Sequence, residues 1–199
     1  MIIREYGDPA ARVILVQPVG QHELPLIDDE IVQIGQMTDR PFRYLAVQVE
    51  NWNRDLSPWP APAVFGDEDF GDGAEALLEE ILPLCAEQDK DYIIGGYSLA
   101  GLFALWSTCR TDVFSGAAAA SPSLWFPGFS AYMKGKGLEC ETVYLSLGMR
   151  EEKTRNSVMR TVGDCARHCY VWMKEQGVNC TLEWNPGANL DQVATALVG

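Results

Sequence analysis

Apolar positions along the chain change period again and again, between continuous or alternating runs and runs spaced three and four apart. Six segments read as strands: "ARVILVQPVG" (11–20), "RYLAVQV" (43–49), "DYIIGGYS" (91–98), "GAAAASPS" (116–123), "TVYLSLG" (142–148) and "TLEWNPG" (181–187). The first, third and fifth are almost unbroken apolar stretches, as expected of parallel strands covered on both faces. Helical spacing separates most of them. Residues 73–88 place Leu77, Leu78, Ile81, Leu82 and Cys85 on one face, with Asp72 as the expected N-cap and Glu75 three residues on. Pro83 falls inside that pattern and predicts a kink or an early end. Residues 157–176 carry a stripe of Val158, Val162, Cys165, Cys169 and Trp172 or Met173, with Gly177 as the stop. A third helix, 26–38, is interrupted by Gly35. This alternation predicts an α/β fold: one domain over 1–199, with a mainly parallel sheet of about six strands and helices on both faces.

The longest irregular stretch, residues 50–73, is rich in Pro, Gly and Trp and leaves the end of a strand. Loops of that length inside a compact domain are usually functional or disordered, and two tryptophans favour order. Open α/β sheets bind ligands beyond the carboxyl ends of their strands. Trp52 and Trp59 in this loop, and Trp125 after the 116–123 strand, are therefore candidate ligand contacts. Packing beneath the loop is the competing role. Trp106, Trp172 and Trp184 lie on regular elements and are assigned to the core.

Composition narrows the partners. The chain is 47% hydrophobic and 10% aromatic, enough to build a core, and its net charge is -13. So acidic a surface repels phosphate backbones and anionic lipid, which argues against nucleic-acid and membrane partners and leaves a small molecule. The first residues carry charges and no long apolar run, so neither a signal peptide nor a membrane-spanning helix is expected, and the expected compartment is the cytoplasm. Six cysteines lack any CxxC pair and read as small buried hydrophobes. "CARHC" sets Cys165 and Cys169 beside His168, but no second pair completes a tetrahedron, so no metal and no cofactor is expected.

Chemistry concentrates at Gly96-Tyr97-Ser98-Leu99-Ala100, where an apolar strand turns directly into the wholly apolar "LAGLFALW". A sharp strand-to-helix turn exposes the hydroxyl of its central serine and holds it in a strained conformation. Small residues are required two before and two after, and Gly96 and Ala100 meet that need. The helix start offers the Leu99 N–H to a developing oxyanion. A phosphate-cradling loop is the rival reading, but neither G-x-G-x-x-G nor G-K-[ST] is present.

"GGYSLAGLFALW" followed by "FSGAAAASPSLWF" resembles the elbow, helix and next strand of the esterase group of α/β-hydrolases that includes enterochelin esterases and S-formylglutathione hydrolases. The resemblance runs from the strand at 12–20 to "EWNPG". It implies an α/β-hydrolase fold without a large lid, and Ser98 as nucleophile on a carboxylic ester or thioester. It also implies an acid after "TVYLSLG" and a histidine after the last strand. Here "NPGANLDQV" places Asn189 where that histidine is expected, and an amide cannot accept and return a proton near neutral pH. Met149 occupies the usual acid position, which leaves Glu151 as the nearest candidate, against the alternative that Glu151 and Glu152 belong to a solvated turn.

The chain has only two histidines. His168 lies mid-helix. His22, in "PVGQHELP", follows the first strand, where this fold places its second oxyanion donor, assigned here to the Gln21 N–H. His22 is thus a candidate substitute base or substrate contact, against the role of an exposed loop residue. Losing a triad histidine costs up to about 10⁶ in turnover, while an oxyanion hole and binding retain ~10³–10⁴ over water. Two functions follow: a weakened serine hydrolase, or a catalytically silent relative that binds an acyl or aromatic ligand in the same cleft.

Overall fold

The computed structural model describes residues 2–186. Seven strands form one sheet: β1 (Ile2–Gly7), β2 (Val13–Val19), β3 (Phe42–Gln48), β4 (Asp91–Tyr97), β5 (Phe114–Ala120), β6 (Thr142–Gly148) and β7 (Asn179–Asn185), in the spatial order β1-β3-β2-β4-β5-β6-β7. All neighbours pair in parallel except β1, which runs antiparallel to β3. The helices are α1 (Ile27–Met37), α2 (Trp52–Asp55), α3 (Ala74–Ile81), α4 (Leu99–Thr108), α5 (Phe129–Lys136) and α6 (Val162–Glu175). The order of strands and the right-handed crossovers expected between parallel neighbours bring the carboxyl ends of β2, β4, β5 and β6 side by side.

Alternate residues of each strand feed two cores. Ile14, Val16, Leu45, Val47, Ile94, Ala117, Val143 and Leu145 face α3, α4, α5 and α6 in the larger core. Leu15, Val19, Tyr44, Ala46, Ala118 and Tyr144 face the opposite way, where α1 contributes Ile27 and Ile34. Every residue of α4 is buried. Its apolarity on all sides follows from lying against β4 and β5 at the middle of the sheet within the larger core, and its Ser107 and Thr108 hydroxyls return to the Phe103 and Leu105 carbonyls.

The expected elements are present, with corrections at their ends. β1 was not expected: it is an edge strand with mixed, largely exposed side chains, so it shows no clean two-residue period. The short α2 and the eight-residue α5 were also unpredicted. Gly73, not Asp72, occupies the N-cap of α3, and no side chain caps it. The helix ends at Ile81 and tightens into a 3₁₀ turn, Leu82–Cys85, because Pro83 lacks the N–H that would continue the ladder. α6 begins at Val162, so Val158 lies outside it and is exposed. Five of the six cysteines are buried, and His168 is exposed.

The 50–73 loop is ordered by its own polar groups. The Asp55 carboxylate accepts the Glu50 and Asn51 N–H groups at 3.1 and 2.8 Å. The Asn51 side chain accepts Arg54 N–H at 2.7 Å, and Ala61 and Phe70 form an antiparallel bridge. These contacts cap and close the short α2, and with the Ala61–Phe70 bridge they order the rest of the stretch.

Candidate active site

The turn between β4 and α4 puts Ser98 at φ 56°, ψ −114°. A side chain rarely adopts a positive φ, and the conformation costs about 1–3 kcal/mol, so it persists only where surrounding bonds over-determine it. They do here. The Ser98 N–H donates to Ala120 O at 2.9 Å, and its carbonyl accepts Leu102 N–H at 3.1 Å and Ser123 N–H at 3.0 Å. The requirement for small neighbours is met with little to spare. A Cβ on Gly96 would lie 2.6 Å from Ala100 Cβ, and one on Gly101 would lie 2.9 Å from Gly96 O and 3.2 Å from Pro122 Cα.

At the first turn of α4 the Leu99 N–H has no carbonyl four residues back within the helix, and the macrodipole adds partial positive charge there. The second expected donor follows the neighbouring strand. β2 and β4 run parallel, with Val13 opposite Asp91 and Val16 opposite Ile94, so the Gly20–Gln21 turn leaves β2 at the same end of the sheet at which Ser98 leaves β4. The turn is closed by reciprocal bonds: Glu23 N–H to Gly20 O at 3.0 Å, and Gly20 N–H to the Glu23 carboxylate at 2.8 Å. His22 lies on it, its ring edge-on to Trp52 with centroids 5.1 Å apart, and both rings crowd Gly20. His22 makes no hydrogen bond to Ser98. The partner of Ser98 Oγ among the described residues is Ser123 Oγ, at 3.3 Å.

Glu151 does not belong to a solvated turn. Its carboxylate folds back over the end of β6 and accepts both the Gly148 N–H at 2.8 Å and the Ser121 hydroxyl at 2.5 Å. Ser121, just beyond β5, has φ 44°, so two strained serines flank the strand end that lies between the Ser98 turn and Glu151. Glu152 points elsewhere, to Arg167 at 2.9 Å, and Met149 is exposed. Asn189 lies outside the described residues.

The candidate tryptophans are all half-buried. Trp59 donates its indole N–H to Pro127 O at 2.9 Å and packs on Phe126 and Tyr132, pinning the long loop to the segment after β5. Trp125 sits two residues beyond Ser123, edge-on to Phe65 and tilted against Phe70. Among those assigned to the core, Trp106 is buried; Trp184 is only half-buried, under the Arg167 guanidinium at 4.6 Å.

Beneath the site, on the α1 face, lie carboxyls that the periodicity did not single out. Glu23 and Glu30 are 5% and 3% exposed, and burial pushes each up to about 7. Tyr97, next to Ser98, is pushed up to about 12 by burial and then by the charges of Glu151 and Glu23, which places it within the fields of both carboxylates. Sequence reasoning missed Glu23, Ser121 and Ser123. The available signals were the serine pair in "SPS" after a strand of alanines, and a glutamate three residues past Gly20.

No family model and no curated protein matches this chain. Solved structures do. The siderophore hydrolase EstA from Aspergillus nidulans superposes with a TM-score of 0.67 at 17% identity, over 98% of this chain and 86% of its own. An IroE-like serine hydrolase from Shewanella oneidensis gives 0.74 at 15% identity, over 94% and 68%. An acyl-protein thioesterase 2 from Zea mays gives 0.58 at 15%, over 100% and 99%. With the elbow, the strand order and these superpositions together, the chain has the α/β-hydrolase fold, without a large lid, in the form found in solved esterases and serine hydrolases.

Proposed function

We propose that this protein is a serine hydrolase of small carboxylic esters or thioesters, with Ser98 as its nucleophile. The observation that carries the reading is Ser98 at positive φ on the β4–α4 turn, locked by three backbone hydrogen bonds at the start of a buried helix. Ser98 Oγ adds to the substrate carbonyl carbon, and the oxygen that becomes negative is stabilised by the Leu99 and Gln21 N–H groups. The C–O or C–S bond then breaks, the alcohol or thiol leaves, and water releases the acyl group from Ser98 in a second, mirrored step. Trp52, Trp59 and Trp125 line the mouth from the long loop and the segment after β5.

The base is the weak part. With asparagine at 189, the Ser98 proton goes to His22 or to solvent, and both routes are slow; Glu151, bonded to Gly148 and Ser121 rather than to His22, is the candidate acid for a base placed at 189. Turnover is then expected to sit near the ~10³–10⁴ over water that binding and an oxyanion hole supply alone. A second reading, a catalytically silent relative that binds an acyl or aromatic ligand, is favoured by one contact: Ser98 Oγ rests on a hydroxyl, Ser123 Oγ, which is no base.

Fluorophosphonate labelling with intact mass separates the two. The hydrolase reading expects a single adduct on wild type, absent from Ser98→Ala, and slower to form in His22→Ala if that imidazole is the base. A folded wild type that stays unlabelled under conditions that label a known serine hydrolase overturns it in favour of the silent binder. Asn189→His is expected to raise ester turnover by about 10²-fold or more, the scale of a positioned general base.

A further inference from the structure

The buried carboxyl of Glu23 has no part in the chemistry above, yet it reaches the backbone that does. Its Oε2 accepts the Gly20 N–H at 2.8 Å while its own N–H returns to Gly20 O at 3.0 Å. The residue between that clamp and His22 is Gln21, whose N–H is the second oxyanion donor. Upstream the chain is tied by Val49 N–H to Val19 O, and downstream by Leu26 N–H to Glu23 O. The direction of the Gln21 N–H thus depends on whether the Glu23 side chain holds the turn closed. We propose that Glu23 is a positioning residue, whose ionised carboxylate holds the 20–23 turn so that the Gln21 N–H faces the substrate oxygen at Ser98. The part about the substrate rests on the hydrolase reading; the holding of the turn does not.

The surroundings decide which acid is charged. The groups facing Glu23 are Glu30 of α1 and Tyr97 of β4, with Tyr44 of β3 hydrogen-bonded to Glu30 and Tyr6 of β1 and Glu151 farther out. No lysine or arginine is among them. Burial raises both acids, and the charge of Glu23 raises Glu30 further through the same low-dielectric space, so Glu30 is the better holder of a proton. Glu23 has an N–H to accept, which favours its ionised form.

The test combines two measurements on the full chain: the Gly20 amide shift in ¹⁵N-labelled protein between pH 5 and 9, and kcat and KM for a p-nitrophenyl ester. Wild type, Glu23→Gln, Glu23→Ala and Glu30→Gln are compared. In wild type the Gly20 amide is expected to move downfield with a midpoint near 7. That midpoint should stay nearly unchanged in Glu30→Gln, where a neutral amide replaces a protonated carboxyl, and vanish in Glu23→Gln. Glu23→Ala should lower kcat by about 10- to 100-fold with KM nearly unchanged, part of the ~10²–10³ that a lost oxyanion donor costs. Glu23→Gln, which keeps an acceptor, should recover to within about threefold and lose the wild-type rise in rate near neutral pH. A wild-type Gly20 amide that does not titrate, or Glu23→Ala with unchanged kcat, overturns the proposal. If fluorophosphonate leaves wild type unlabelled, the hydrolase reading fails separately, and the Gly20 titration alone decides whether Glu23 holds the turn.

Discussion

Two serines, Ser98 and Ser121, occupy matching places and have opposite surroundings. Each follows the carboxyl end of a central strand, each has a positive φ, and each is locked by an N–H to the neighbouring strand: Ser98 to Ala120 O at 2.9 Å, Ser121 to Ser146 O at 2.8 Å. Beyond that they diverge. After Ser98 the chain enters α4, whose free N–H groups stabilise a negative oxygen nearby. After Ser121 comes Pro122, which offers no N–H, and the hydroxyl is engaged by the Glu151 carboxylate. Strain alone therefore does not mark a nucleophile. The difference lies in what the hydroxyl faces: a helix start and another hydroxyl at Ser98, an acid that already uses the proton at Ser121.

The largest expected contrast is in labelling. Ser98→Ala should abolish the fluorophosphonate adduct, whereas Ser121→Ala should keep it and change its rate of formation by no more than about threefold, since Ser121 and Glu151 make no hydrogen bond to His22. An adduct lost equally in both would mean the two serines act as one unit. Next comes packing at the elbow. Gly96→Ala is expected to lower stability by about 1–3 kcal/mol in urea titration, because its Cβ meets Ala100 at 2.6 Å and the strand and helix backbones have little room to separate.

Glycine at the two strained positions should then give opposite signs. Ser98→Gly removes the positive-φ cost and only a long hydroxyl contact, so stability should hold or rise by up to about 1 kcal/mol. Ser121→Gly removes the same kind of strain but loses a charge-assisted bond worth about 1.5–3 kcal/mol, so it should fall by roughly 1 kcal/mol. Equal shifts would show that the Ser121–Glu151 contact contributes nothing net.

Away from the serines, a pH dependence is shared by the whole domain. Glu23 and Glu30 hold protons in the folded chain up to about 7, while the unfolded chain releases them near 4.5. Between those values the folded state binds more protons, so stability is greatest below about 4.5 as far as these groups are concerned and declines as pH rises to about 7. Each carboxyl contributes at most about 1.4 kcal/mol per pH unit, shared because the two are coupled. Urea midpoints at pH 5, 6, 7 and 8 should fall and then level. Glu30→Gln should flatten the slope.

The contrast between the serines also shows how far the chain could be read unfolded. Ser98 was legible because every constraint on it is local: an apolar run before, an apolar helix after, Gly96 and Ala100 at the required offsets. Ser121 carries as much backbone strain, but the "SPS" pair alone marked it, because Glu151, which accepts its hydroxyl, lies 30 residues away. The parallel strands were legible for the same reason as the elbow, since strands buried on both faces are apolar throughout. β1 was not, because an exposed edge strand has no face that must be apolar.

By itself, then, the amino-acid order determined the alternation of strands and helices, the strained Ser98 turn, the ordered aromatic loop and the asparagine at 189. Each of those is written in residues adjacent in the chain or spaced by one helical or strand period. Tertiary structure alone decided which of two adjacent glutamates reaches the sheet end, that Glu23 is buried beneath the site, and that His22 packs on Trp52. Those outcomes depend on register between strands far apart in sequence and on how much water remains around a carboxyl once the sheet closes. Neither quantity is a property of any short stretch of the chain.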